Sequence, residues 1–176
     1  MDFVLSKLSW LWTPAGHDVP DPVTGLTPRQ KKIVQNTWKI VRADSKKNGI
    51  LIFMKLFEHH PEYQPLFAGF AYVPLYRLPS NGKLVAHAIS VMYSLSSVVD
   101  NLDEPQCLVQ LLQKIGRSHR TRNISGEHIE NLSDVIIMFL KEKLGPKVFD
   151  ERCEEAWRKS LDVASSVIVT ELEGTD

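Results

Sequence analysis

The chain has 176 residues, and its 21 Lys and Arg residues balance its 21 Asp and Glu residues, so the formal net charge is zero. This length fits a single domain with a sizeable core. The balanced charge argues against a nucleic-acid-binding protein, which would need a clustered basic surface. The two cysteines, Cys107 and Cys153, are too few for a disulfide framework and lack metal-ligand spacing. We expect two inert thiols. One disulfide and a pair of redox-active thiols stay open as alternatives.

No run of 18 apolar residues occurs, so the sequence predicts no membrane-spanning helix. The N-terminus lacks a basic leader and a long apolar run, which argues against a secretory signal. We therefore expect a cytoplasmic protein. Trp10 and Trp12 leave open a peripheral contact of the N-terminal segment with a membrane or a partner protein.

Proline and charge patterns divide the chain into three parts. Residues 1–26 form an extension whose second half is rich in proline and glycine and predicts a linker. Residues 27–170 carry helical apolar patterns and form the predicted domain, and residues 171–176 form an acidic tail. The domain begins with a strong helix start, because Thr27 and Gln30 can form a capping box.

Apolar residues recur at helical spacing in six segments after residue 26, and no segment alternates as a strand would. The inward-facing positions, in chain order, are Ile33, Val34, Trp38 and Val41; Ile50, Phe53, Met54 and Phe57; Leu84, His87, Val91, Leu95, Val98 and Leu102; Leu108, Leu111, Leu112 and Ile115; Ile129, Leu132, Ile136 and Leu140; and Trp157, Leu161, Ala164 and Ile168. We therefore predict an all-α domain of six or more helices.

Two of these apolar stripes carry a histidine. His119 follows Ile115 by four residues, and His87 precedes Val91 by four, so each imidazole lies on an apolar helix face. A single histidine in such a place is more often a core residue than a ligand. Two of them on facing helices could hold a flat metal complex. Neutral imidazole binds iron through one ring nitrogen, while Ser118 or a backbone carbonyl near Ile115 could orient the other nitrogen of His119.

The chain resembles the globin family over about residues 26–170. The matching positions are Trp38, Pro61, Phe67, Phe70, His87, Val91, the run Gly116-Arg117-Ser118-His119-Arg120, and Trp157. The Gly-Arg-x-His-Arg and His-x-x-x-Val-Met elements look most like those of neuroglobin and globin X.

The resemblance implies a globin fold of six to eight helices that encloses a pocket for haem b, iron protoporphyrin IX. It implies His119 as the proximal iron ligand and His87 as the distal histidine. It implies a pocket lined by Phe53, Phe67, Phe70, Val91, Ile115, Ser118, Ile124, Ile129 and Leu132. Candidate partners for the haem propionates are Tyr72, Arg77, Lys83 and Arg122.

The resemblance also implies a haem protein that binds O2 or another diatomic gas such as CO or NO. We expect His87 to occupy the sixth iron position when no gas is present. Three alternatives stay open: a pentacoordinate O2 carrier; a redox enzyme for NO, nitrite or peroxide that takes electrons from an external reductant; and a helical regulator that has lost haem. The sequence does not determine the physiological ligand or the oligomeric state.

Overall fold

The computed structural model describes residues 18–174, so the predicted contact through Trp10 and Trp12 lies outside the described residues. Within residues 18–174 the chain forms six α-helices and two 3₁₀ helices, and no β-strand. The α-helices are α1 (Pro28–Arg42), α2 (Ser45–His59), α3 (Gly82–Asp100), α4 (Pro105–His119), α5 (Gly126–Leu144) and α6 (Glu151–Glu173), and the 3₁₀ helices span Pro61–Leu66 and Leu75–Ser80. This confirms the predicted all-α class.

Side-chain caps start several of the helices. Thr27 and Gln30 form the expected capping box at α1. Asn81 caps α3 and accepts two backbone N–H groups. Asp150 accepts the backbone N–H of residue 153 at the start of α6. Each cap satisfies N–H groups that the first turn of a helix leaves free, so these starts are fixed by local chemistry.

Two tryptophans join α1 to α3 and α6 in the core. Trp38 and Trp157 are 1% and 2% exposed, and their ring centroids lie 5.8 Å apart. The indole N–H of Trp38 donates to Ser96 of α3 at 2.9 Å, and that of Trp157 donates to Thr37 of α1 at 2.8 Å. Both indole N–H groups are hydrogen-bonded, so the two large rings are buried without leaving an unpaired polar group.

A close crossing of α2 and α3 positions the distal histidine. A Cβ atom at Gly49 would lie 2.9 Å from the carbonyl oxygen of Ala88 and 2.8 Å from Cγ of Met92, so only glycine allows this approach. The crossing brings Phe53 of α2 against His87 of α3, with ring centroids 5.1 Å apart. The α2–α3 contact therefore determines what surrounds His87.

By length and composition, α3 is also the one described helix that could cross a membrane, with a mean hydropathy of 1.2 over 18 residues. The sequence alone predicted no such helix. In the fold, α3 packs against α1, α2 and α4. Part of its apolar surface, at Val91, Leu95 and Val98, is only half-buried and lines an internal cavity. Part of the apolar surface of α3 thus faces the interior of the domain.

Both ends of the predicted domain continue into ordered structure. Thr24 and Leu26 are 2% and 1% exposed, so the last part of the predicted 1–26 extension packs on the helices. At the other end, α6 runs to Glu173 and includes the first three residues of the predicted 171–176 tail. The division of the chain into three parts itself stays a prediction.

Candidate functional site

His119 ends α4 and is held by its own helix. Its Nδ1 lies 2.9 Å from the carbonyl oxygen of Ile115 and 3.0 Å from the hydroxyl of Ser118. The Ser118 hydroxyl donates to the same carbonyl at 2.7 Å. A carbonyl can only accept, so we assign the ring proton to Nδ1, which leaves the lone pair of Nε2 free to bind a metal. Both orienting groups proposed from the sequence are therefore in place.

An apolar cavity of about 200 Å³ lies beside His119, between α3, α4, α5 and α6. Six of the predicted site residues line it: Val91, Ile115, Ser118, His119, Ile129 and Leu132. Its wall also includes Leu95, Val98, Leu112, Ile136, Ala164 and Ile168. The sequence placed these six residues on inward-facing stripes, but a helical period does not separate a cavity wall from solid core.

His87 lies among aromatic rings. The centroids of Phe53, Phe67 and Phe70 lie 5.1, 5.3 and 6.3 Å from the centroid of its imidazole. Phe67 and Phe70 stack on each other at 5.2 Å, and Phe53 meets Phe67 edge-on at 5.6 Å. The structure thus divides most of the predicted site residues into two neighbouring groups, one around the cavity with His119 and one around His87.

The surroundings of His87 favour its neutral form. Burial among apolar rings lowers the pKa of His87 below its ordinary value of 6.5, and electrostatic interactions with His119 and Arg122 lower it further. Neutral imidazole is the form that binds iron. His87 is therefore chemically suited to ligate a metal at neutral pH.

The remaining predicted residues lie at the edge of the site or away from it. Ile124 is half-buried between α4 and α5 and does not line the cavity. Among the candidate propionate partners, Tyr72 is 96% exposed, and the guanidinium of Arg77 lies over the ring of its neighbour Tyr76 at 5.5 Å. Lys83 and Arg122 are exposed. Arg122 is the candidate with an electrostatic link to the site, through its effect on His87.

The two cysteines take no part in this site. Cys107 is exposed and Cys153 is buried, and both are free thiols. Burial raises the pKa of Cys153 to about 12, so its thiol stays protonated and unreactive at neutral pH. Within residues 18–174, no cluster of three or more His, Cys, Asp or Glu side chains could hold a metal ion. A larger open groove of about 460 Å³ between α5 and α6 contains no histidine.

The side chains fit haem as a cofactor. Imidazole is a usual axial ligand of haem iron, and each of the two histidines lies beside apolar side chains. The half-buried apolar face of α3 would be covered by a large flat ring next to the cavity. The two imidazoles and the apolar side chains of the cavity are the kinds of group that such a cofactor requires.

Comparison with known proteins places these features in a family. Residues 50–168 match the Globin family model. The chain is 31% identical over 150 residues to Globin-1 of Anadara inaequivalvis, and the aligned region covers 85% of this chain and 99% of that globin. It is 32% identical over 136 residues to a globin of Buccinum undatum, covering 75% and 91% of the two chains.

Solved structures show the same fold. A hexacoordinated haem protein from an anhydrobiotic tardigrade superposes with a TM-score of 0.81 at 21% identity, covering 88% of this chain and 99% of that one. The hexa-coordinate hemoglobin of Drosophila melanogaster superposes with a TM-score of 0.75 at 25% identity, covering 81% and 93%. Haem binding and a diatomic gas ligand follow from this relationship at the level of the family. The chain belongs to the globin family.

Proposed function

We propose that the protein is a b-type haem globin in which His119 is the proximal ligand and His87 occupies the sixth iron position until a gas displaces it. The observation that carries this proposal is the pair of imidazoles, one with Nδ1 hydrogen-bonded to Ile115 and one kept neutral among three phenylalanines. A b-type haem is proposed because the sequence contains no Cys-x-x-Cys-His attachment motif. The finer resemblance to neuroglobin and globin X points the same way.

Bound haem would supply an iron centre with one axial position for a diatomic gas such as O2, CO or NO. The chain anchors and orients this centre through His119, whose Nδ1–H donates to Ile115. The apolar residues of the cavity and the rings around His87 exclude water from it. Exclusion of water strengthens the electrostatic interactions of the remaining polar groups in the site.

His87 would have two roles that exclude each other. As a neutral ligand it competes with the gas, so the apparent affinity falls with the fraction of protein whose site is open. When displaced it keeps one ring N–H, which can donate to a partly anionic ligand. Such a bond contributes about 1.5–3 kcal/mol, which corresponds to roughly ten- to hundredfold in affinity. Gas affinity is then the balance of these two terms.

Visible spectra of the ferric and dithionite-reduced protein test the proposal. We expect a Soret band and, after reduction, the sharp split bands of low-spin iron. His87→Leu should convert these to a broad high-spin band and accelerate CO binding. His59→Leu, at an exposed histidine at the end of α2, is the matched control and should leave the spectrum unchanged.

Each alternative has its own outcome. A broad high-spin band in the reduced wild-type protein would favour an open, pentacoordinate site. Absence of a Soret band after reconstitution with haem would favour the regulator without haem. Turnover of NO, nitrite or peroxide with an external reductant would identify the redox enzyme. A cytoplasmic location and contacts of the N-terminal segment stay predictions.

A further inference from the structure

The end of α6 is tied to the last turn of α4, which carries His119. One carboxylate oxygen of Glu171 lies 3.3 Å from Nη1 of Arg117 and 3.6 Å from Nη2 of Arg120. The side chain of Glu171 is only 17% exposed. These two arginines lie on either side of His119 in the sequence, so a single carboxylate contacts the turn both before and after the histidine.

A backbone group of Glu171 takes part as well. Nε of Arg120 donates to the carbonyl oxygen of Glu171 at 2.9 Å. The last carbonyls of a helix have no partner within the helix, and a positive side chain is favoured at that end. Arg120, the residue that follows the last residue of α4, therefore helps to cap α6. The end of α4 thus supplies a donor to a terminal carbonyl of α6, and α6 supplies a carboxylate to the arginines of α4.

Close packing at Gly116 fixes the distance between these two helices. A Cβ atom at Gly116 would lie 2.5 Å from Cβ of Glu171 and 2.8 Å from the carbonyl oxygen of Ile168. The backbone of α4 therefore lies directly against α6 just one turn before His119. A larger residue at position 116 would push the helices apart, because the backbone oxygen cannot move aside.

The small contribution of these contacts to the free energy of unfolding indicates that they orient the helical turn rather than stabilise the fold. The side chain of Arg117 is 50% exposed, and exposed ion pairs contribute little to overall stability. Three contacts from one residue to a single helical turn do restrict the direction of that turn. The packing of α4 is mainly against α6, with a smaller contact to α3. The orientation of the last turn of α4 thus depends on α6.

We propose that Glu171 is a positioning residue for the iron ligand. Its carboxylate and its carbonyl hold the turn from Gly116 to Arg120, and this turn sets the direction of Nε2 of His119. The inference rests on the proposed role of His119 but concerns a residue of the last helix that does not line the cavity. It assigns a function to the segment that the sequence suggested was only an acidic tail.

Glu171→Ala tests this proposal, and Glu173→Gln on the exposed side of the same helix is the matched control. In the His87→Leu background, reduced Glu171→Ala protein should show a shifted or broadened iron–histidine stretching band by resonance Raman spectroscopy. It should lose haem roughly tenfold faster, as is typical when groups that orient a metal ligand are removed. Glu171→Gln keeps the side-chain shape and an acceptor oxygen, so its band and rate should lie between those of Glu171→Ala and the parent.

Hydrogen exchange of the proteins as isolated, compared at equal haem content, separates this inference from the proposed function. Amides from Gly116 to Arg120 should exchange faster in Glu171→Ala than in the wild-type and Glu173→Gln proteins. This acceleration is expected even if His119 is not the iron ligand. Equal exchange rates in the three proteins would overturn the positioning role, as would an unchanged iron–histidine band together with an unchanged rate of haem loss.

Discussion

His119 lies at the end of α4 and His87 in the first half of α3, and their imidazole rings are held by different kinds of contact. The ring of His119 has a directional hydrogen bond to Ile115, and its helical turn is tied to Glu171. In the described part of the chain, the ring of His87 has no hydrogen bond and packs against three phenylalanines.

This difference indicates which histidine should stay on the iron when a gas binds in the proposed function. A hydrogen bond fixes both the tautomer and the direction of a ring, so His119 is preorganised as an anchor. Aromatic packing favours a place for His87 but gives it no single bonded partner. In the proposed function, displacement of His87 by a gas therefore costs it no hydrogen bond within the protein, so ligand exchange is expected on the His87 side of the iron.

The largest effect should come from removal of His119, the proposed anchor of the iron. His119→Ala should abolish stable haem binding, because the protein then lacks its oriented ligand. Loss of a group that binds the folded state should also lower the melting temperature of the reconstituted protein. Absorption spectra, haem-transfer rates and thermal unfolding measure these changes. If His119→Ala kept the wild-type spectrum and rate of haem loss, the anchor would have to lie elsewhere.

The next effect tests the aromatic side alone. Phe53 is 3% exposed and contacts both His87 and Phe67, so Phe53→Ala should leave a cavity and lower the free energy of unfolding by about 3–5 kcal/mol. Urea unfolding of the haem-free protein measures this. In the His87→Leu background, the iron–histidine band that reports on His119 should stay in place. Tyr72→Ala, at a fully exposed ring, should cost less than about 0.5 kcal/mol; a similar cost for both variants would contradict the buried contact.

A third change lies before α1, outside the helices that carry the two histidines, and tests whether spectral effects are specific. Asp21 accepts the N–H groups of Thr24 and Val23, and it pairs at 3.3 Å with Lys31, whose side chain is 7% exposed. Asp21→Asn leaves that lysine without its counter-charge. The free energy of unfolding should fall by about 1–3 kcal/mol at neutral pH while the haem spectrum is unchanged.

The pH dependence of this third effect has a definite sign. The hydrogen bond from Thr24, with smaller contributions from Val23 and Lys31, lowers the pKa of Asp21 below its ordinary value of 3.8. A lowered carboxyl pKa stabilises the fold above pH 3.8, and this contribution is lost as the pH falls through the lowered pKa. Urea unfolding at a series of pH values should show wild-type and Asp21→Asn stabilities converging in acid. A difference that stays constant into that range would exclude the ion pair as its cause.

The smallest effect should come from Ser118. Its hydroxyl lies 3.0 Å from Nδ1 of His119, but the carbonyl of Ile115 lies 2.9 Å from the same nitrogen. Ser118→Ala should therefore change the stability of the holoprotein by less than about 1 kcal/mol. Its haem should dissociate at close to the wild-type rate. A tenfold faster loss would show that the hydroxyl, and not the carbonyl, orients the ligand.

The sequence alone predicted the helices, and it singled out His119 and His87 as the candidate iron ligands. The cap at Thr27 involves residues within one turn of each other, so it can be found without the fold. The positions of His119 and His87 on their apolar stripes follow from helical period in the same way. The motif Gly116–Arg120 then identified the family, because family patterns preserve the chemistry of a site in a short segment.

Only the tertiary structure decided how the site is held. The link between Arg120 and Glu171 joins positions 51 residues apart, and the link between Gln30 and Glu155 joins positions 125 apart. No local pattern reports such pairs, because they depend on which helix faces meet when the chain folds. Because its partners are distant in the sequence, Glu171 was assigned to a tail. The contact of Phe53 with His87 likewise depends on the crossing of α2 and α3 at Gly49, which no local pattern predicts. Local hydrogen bonds and helical period determine the elements, whereas the contacts between helices determine how the two histidines are held.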